Sequence, residues 1–352
     1  MKYVPRSPWT RGLLVLPVLV AVFFLLWWRG PDWNVVYHAF DPVNWGWIAI
    51  ALVLNLVSVL ARSVAWRFTI DQALPPPRPK FNWVFSAFSV GLLANAVLPG
   101  RIGELARVAV LRRRLPHGPG TSGALVGTVF AHRLFDLFPA LLLVVYVLST
   151  AKIPHWAATS LVILATIGSV LFATAVVGAR RKHRPMLDGA NALRRVLLMA
   201  RQGLAVLRSP LAALAAIVFQ CLGWFLQLLA VYVAMRAFDI HAPLPAAGLV
   251  LLLMNVATIF PLWPGNIGLL QAAVALPLVQ YGVAYSTGFA YGLVLQVLEM
   301  SVGVGIGLVF LAREGLSFAM LRGIPAADEA PVAGDEEEVP AEVPRARAGV
   351  SG

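Results

Sequence analysis

The sequence predicts an all-α polytopic membrane protein, with six spanning helices plus two re-entrant helical hairpins in an inverted repeat. Three observations predict it. The 352 residues are 59% hydrophobic and 12% charged, where a soluble chain is about a quarter charged. Several runs approach or exceed 18 residues with almost no charge, the length that crosses a bilayer. And one motif occurs twice: PGRIGELARVAVL from Pro99 and PGNIGLLQAAVAL from Pro264 align as P-G-x-I-G-x-L-x-x-x-x-x-L, at an offset of 165 residues.

The elements follow in order. Lys2, Arg6 and Arg11 precede an apolar run at 12–28 that ends in Trp27, Trp28 and Arg29. No small-x-small cleavage site follows, so this reads as a retained first helix with an interfacial aromatic anchor. Further spans are expected at 46–66, 123–149, 158–178, 211–234 and 286–311. Residues 84–115 and 246–280 each hold two apolar arms of about 15–17 residues, short for a full span. Each pair is broken by Pro-Gly, which ends a helix and permits unusual backbone. These read as hairpins that enter and leave on one side. The alternative is that each arm spans, giving eight or more apolar helices with Pro-Gly as a surface turn. Residues 180–208 read as an amphipathic segment on the cytoplasmic face.

Charge orients the chain. Arg62, Arg67, Arg78 and Lys80 follow the second helix, Arg112, Arg113 and Arg114 the first hairpin, and Arg313 and Arg322 the last helix. The 180–208 segment carries eight more basic residues, while the remaining loops are nearly bare. By the positive-inside rule both termini are cytoplasmic, in a bacterial-type plasma membrane. The net charge of +12 conceals a tail at 323–352 with seven acids and two arginines, so the rest of the chain carries +17. The basic loops suit anionic membrane lipid rather than nucleic acid. The Pro/Ala/Glu-rich tail cannot bury a core and is expected to be disordered. It offers a surface for a protein partner. Residues 1–322 then form one transmembrane domain. Cys221 is the single cysteine, so no disulfide or thiolate metal site forms within one chain.

The repeat runs past the motif: Ser122 aligns with Thr287, Gly127 with Gly292 and Val129 with Val294. The repeat halves are about 84–149 and 246–311. An odd number of crossings separates equivalent points, so the second copy is inverted. Inverted repeats with interrupted helices at matching positions mark secondary transporters, whose site lies near the midplane. The motif backbone there is Pro99, Gly100, Gly103, Pro264, Gly265 and Gly268.

Ionisable groups cluster at these places, where they are costly and by default functional. The first motif carries Arg101, Glu104 and Arg107, spaced i, i+3 on one helix face. The next helix carries His132, Arg133 and Asp136. The second copy places Asn266 opposite Arg101, with Gln271 nearby, and its following helix carries Gln296 and Glu299. Arg101 and Arg133 are candidates to hold a phosphate bidentately, with Asn266 beside them. Glu104, Asp136, Glu299 and His132 are candidates to neutralise the arginines or couple charge. The alternative is a structural network, Arg101 with Glu104 or Asp136 and Arg133 with Glu299. Arg107 is expected to snorkel toward the interface. Trp224, Trp263 and Tyr291 are expected to be packing or interface aromatics rather than ligand contacts. The His132–Asp136 spacing is half a metal site with no further ligands, so no metal and no cofactor are expected.

At these residues the chain resembles a known family. PGRIGELARVAVL followed by HRLFD, and PLWPGNIGLLQAAVAL followed by YGLVLQVLE, resemble the lysylphosphatidylglycerol synthase transmembrane (flippase-like) family, also called UPF0104, over roughly residues 10–318. The resemblance implies a lipid-flippase-like domain; in multidomain relatives it moves an aminoacylated phospholipid between leaflets. Two positions depart from the family pattern. His132 stands where a Glu is usual, and Asn266 and Gln271 stand where the second motif often has Gly and Glu. The chain ends in the short acidic tail, so no aminoacyl-transferase domain is expected and the chain is expected not to be an enzyme. The expected function is translocation of an anionic phospholipid or polyprenyl-phosphate headgroup through a midplane cleft. Two other readings stand beside it: a membrane enzyme or accessory protein of lipid-linked glycan synthesis, and a non-transporting scaffold.

Overall fold

The computed structural model describes residues 32–97, 102–116, 121–180, 206, 209–259 and 266–315. The expected first helix at 12–28, the motif residues Pro99, Gly100, Arg101, Pro264 and Gly265, nearly all of the 180–208 segment, and the tail lie outside them. The described elements are α-helices: α1 (Trp33–His38), α2 (Trp45–Ala73), α3 (Phe81–Val97), α4 (Gly103–Arg112), α5 (Thr121–Thr150), α6 (His155–Arg180), α7 (Pro210–Ala237), α8 (Leu244–Ile259), α9 (Leu269–Val279) and α10 (Tyr285–Arg313). The protein is an all-α polytopic membrane protein.

Five helices, α2, α5, α6, α7 and α10, are long and apolar enough to cross a membrane. They coincide with the five spans expected after the first. The arms between them are shorter: α3 has 17 residues, α4 10, α8 16 and α9 11. At 1.5 Å per residue they measure about 15–26 Å, short of a hydrocarbon core of about 30 Å.

Local chemistry starts the helices where they start. The Asn44 side chain accepts from Gly46 N–H at 3.0 Å and caps α2. Pro210 opens α7, a position where its missing N–H costs nothing. In lipid the hydrophobic effect does not drive helices together; close packing of small residues and hydrogen bonds between helices do. Gly103, at the head of α4, lies so close to α3 that an added Cβ would overlap the Gly91 carbonyl and the Asn95 side chain. Asn95 Oδ1 accepts from Gly103 N–H at 2.9 Å, closing the first hairpin. Its second-copy counterpart, Gly268, precedes α9 with φ +91°, a conformation open to glycine.

The two larger apolar cores among the described residues form around the hairpins, one around each. Val84, Val90, Leu93, Ala106 and Leu111 of the first pack with Trp66 and Ile70 of α2. Leu249, Leu251, Val274 and Leu278 of the second pack with Val231 and Ala234 of α7. α10 serves both, with Tyr291 and Leu295 in the second core and Val302 in the first.

α2 and α7 form the central pair, and they run antiparallel. Asn44 N–H at the start of α2 donates to Ala237 O at the end of α7, 3.0 Å. Phe68 near the end of α2 stacks near Phe219, ring centroids 5.9 Å apart. At their crossing, residues 165 apart touch: Ser58 Oγ donates to Gly223 O at 2.8 Å, and Arg62 donates to Gln227. A Cβ on Gly223 would stand 2.7 Å from Arg62 Cγ, so the crossing requires glycine there.

Candidate functional site

Polar side chains converge where four helices meet. α4 brings Glu104 and Arg107, α5 brings His132, Arg133 and Asp136, α7 brings Gln220, Trp224 and Gln227, and α2 brings Arg62. The residues of α5, α7 and α2 concerned sit near the middle of helices 28–30 residues long. That depth is the costliest place in a membrane for charge.

The arginines and carboxylates alternate. Arg133 Nε donates to Glu104 Oε1 at 2.8 Å, and Nη1 to Asp136 Oδ2 at 3.1 Å. Glu104 also pairs with Arg107 one turn on. Arg107 is 4% exposed. Its guanidinium lies 4.8 Å from the Trp66 ring centre and 5.6 Å from that of Phe88, a cation held by a carboxylate and two aromatic faces. The expectation that Arg107 reaches for the interface is therefore corrected: α4 turns it inward. Asp136 Oδ1 accepts from Trp224 Nε1 at 3.0 Å and from Gln220. Trp224, expected only to pack, is a hydrogen-bond donor of the network, and its ring lies beneath the Arg62 guanidinium at 5.6 Å.

The sequence-predicted residues divide as follows. Glu104, Arg133 and Asp136 come together. His132 is buried, 2% exposed, with its ring edge-on to Phe88 at 5.8 Å between centroids. Glu299 does not meet Arg133; it accepts from Gln227 Nε2 at 3.0 Å. Asn266 is buried and donates to Ala257 O at 3.1 Å, with φ +47°, which places it in the turn of the second hairpin. Asn tolerates that left-handed backbone better than most residues. Gln271 reaches back to Gly268 N–H at 2.6 Å. Arg101 lies outside the described residues.

Sequence reasoning missed Arg62, Gln220 and Gln227 and underrated Trp224. The charge pattern counts Arg62 among the basic residues after the second helix although the expected 46–66 span contains it, and α2, Trp45–Ala73, keeps it inside. The available signal was the offset itself: Arg62 plus 165 falls on Gln227, a second polar group inside an apolar run.

Arg133 is the exposed member of the network, 55% against 4% for Arg107. It stands with Glu104 at the head of a groove of about 230 Å³ between α4 and α5, floored by Leu105, Val108, Val126, Val129 and Phe130. A cation at the end of an apolar trough suits an amphiphile with an anionic head.

A family model described as "Lysylphosphatidylglycerol synthase TM region" matches residues 13–307. A "UPF0104 membrane protein" of Methanothermobacter thermautotrophicus (strain Delta H) is 23% identical over 309 residues, covering 83% of this chain and 90% of that protein. No solved structure matches. The family description names a synthase, and this corrects the expectation that the chain is not an enzyme: the family is enzyme-associated. With the match running over most of the chain, from residue 13 to residue 307, the protein belongs to the lysylphosphatidylglycerol synthase TM region family.

Proposed function

We propose that the protein carries the anionic headgroup of a membrane lipid between leaflets, binding its phosphate at Arg133 and leaving the acyl chains along the α4–α5 groove. The observation that carries this reading is the exposed Arg133 guanidinium opening onto an apolar trough while two carboxylates hold it from behind. Each carboxylate has a second partner. Glu104 keeps Arg107, and Asp136 keeps Trp224 and Gln220. An arriving phosphate can take Arg133 from either without leaving it unpaired, so the exchange avoids the several kcal/mol that an orphaned buried charge costs, roughly 3–5 kcal/mol. Asn266 is assigned to shaping the second hairpin.

The antiparallel pairing of α2 with α7, and of residues 165 apart at their crossing, supports an inverted repeat larger than the motif halves, beginning at α2 and α7. Such a pair of halves is the architecture of alternating access. The family description supports a phosphodiester lipid as cargo, and the basic loops support a plasma-membrane location with cytoplasmic termini.

The test is leaflet exchange of a fluorescent phosphatidylglycerol in proteoliposomes. Arg133→Ala is expected to slow it at least tenfold. Arg133→Lys, which keeps the charge but loses the fork, is expected to fall between. Unchanged exchange in a folded Arg133→Ala protein overturns the proposal.

A further inference from the structure

The polar network does not stop at the headgroup site. From Asp136 it passes to the Trp224 indole, across the face of that ring to Arg62, from Arg62 to Gln227, and from Gln227 Nε2 to Glu299 Oε1. Glu299 is the middle residue of α10, fourteen residues from either end, or about 21 Å along the helix axis. It makes no ion pair with Arg133, so neutralising the headgroup arginine is not its part. Beside it lies a small cavity of about 10 Å³, lined by Glu299, Gln227 and Asn55, with Val231, Met254 and Leu298 closing it. That space admits a single water. Asn55, 6% exposed, sets a carboxamide against the same space.

We propose that Glu299 is a proton-binding site linked to lipid binding: one proton joins Glu299 as the anionic headgroup joins Arg133. The proposal rests on the headgroup reading above. The donor set favours a proton over a metal ion. Glu299 is the one carboxylate at the cavity, its neighbours are neutral carboxamides, and the cationic Arg62 stands one hydrogen-bond step behind Gln227. The groups packed around it bring little other charge. Arg62 faces it from α2; α7 presents Gln227 and Trp224; α3, α8 and α9 carry no ionisable residue along their lengths. The remaining charges of α7 and α10 lie at helix ends, Arg236 and Arg313.

The charge balances. Empty, the network holds Arg62, Arg107 and Arg133 against Glu104, Asp136 and Glu299. A phosphodiester adds one negative charge, and a proton from water, passed through the cavity to a Glu299 oxygen, cancels it. On departure the lipid takes its charge away and Glu299 returns the proton to the cavity water. Lipid affinity therefore weakens as pH rises through the titration of Glu299, by up to about tenfold per pH unit for one linked proton.

The experiment uses the full chain in nanodiscs, with infrared titration of the carboxylic C=O stretch and with dihexanoyl phosphatidylglycerol added in weakly buffered solution. Expected is a C=O band that titrates with pH and is missing in Glu299→Gln, and uptake of about one proton per lipid bound, abolished in Glu299→Gln. Gln227→Leu keeps the band and loses the uptake. Absence of a titrating band assignable to Glu299 overturns the proposal. So does lipid binding that proceeds without proton uptake, or with uptake that persists in Glu299→Gln, and in those two cases the headgroup site stands. If the lipid binds wild type and Arg133→Ala alike, the headgroup reading fails and the linkage falls with it, whatever the infrared titration shows.

Discussion

Glu104 is the residue on which most of the site turns, because it ion-pairs with Arg107 inward and accepts from Arg133 outward. It is held there by the close approach of α4 to α3 at Gly103. Gly103 lets α4 start against α3, and that start aims the next residue at α5. Adding a methyl at Gly103 drives it into the Gly91 carbonyl, and neither strand of that contact is a flexible side-chain end. Gly103→Ala is expected to destabilise by about 1–3 kcal/mol, the usual cost of overpacking. Gly305 in α10 has open space around its would-be Cβ. Gly305→Ala is expected to be neutral or mildly stabilising, since Ala outranks Gly in a helix by about 1 kcal/mol. Thermal unfolding of both variants in one detergent checks the pair, and equal midpoints would refute the close contact. The same residues show what was readable beforehand. Glu104, Arg133 and Asp136 stood out because a charge in an apolar run is conspicuous. Trp224 and Arg107 did not, since an indole in a membrane helix and an arginine near RRR each have a commoner explanation. Only the positions of α2 and α7 relative to α5 expose their partners.

At the scale of elements, each hairpin is tied at its exit to a long helix from the other half. After α4, Arg114 pairs with Glu314, which closes α10, at 3.0 Å, and Ser86 of α3 donates to the same carboxylate at 2.7 Å. After α9, Tyr281 accepts from Lys152 N–H, just past α5, at 2.8 Å. The two ties occupy corresponding places and differ in chemistry, one ionic and one neutral. Arg114 is 44% exposed, and a partly exposed pair contributes about 0.2–1 kcal/mol. Glu314→Ala is expected to raise hydrogen exchange in α3 and α4 by up to about fivefold, and to leave α8 and α9 unchanged. Tyr281→Phe is expected to do the reverse. Exchange rising equally in both hairpins would show that they open as one unit. The spans themselves were legible from hydropathy to within a few residues, because a run of 18 apolar residues has few other uses. The ties were not, since each joins residues more than 100 positions apart whose types are ordinary for loops.

For the whole molecule, the decisive feature is that α2 and α7 correspond by offset and oppose by direction. If they are the first helices of two inverted halves, every pair of corresponding loops lies on opposite sides of the membrane. Hydropathy alone cannot supply this, because it counts crossings without relating one half to the other. The chain's single cysteine makes the test simple. In a Cys221→Ser background, cysteines replace Arg78 after α2, Arg113 after α4, Lys152 after α5 and His241 after α7, all outside the helices. A membrane-impermeant maleimide applied to intact cells is expected to label Lys152→Cys and His241→Cys, and to reach Arg78→Cys and Arg113→Cys only after permeabilisation. Arg78 and Arg113 share a side because α3 and α4 leave and return together. Arg78 and His241 part because the second copy is upside down. Labelling of Arg78→Cys and His241→Cys from one side would abolish the inversion. Alternating access would go with it, since two halves of the same orientation present their hairpins to the same face and leave the groove at Arg133 without a counterpart opening on the other.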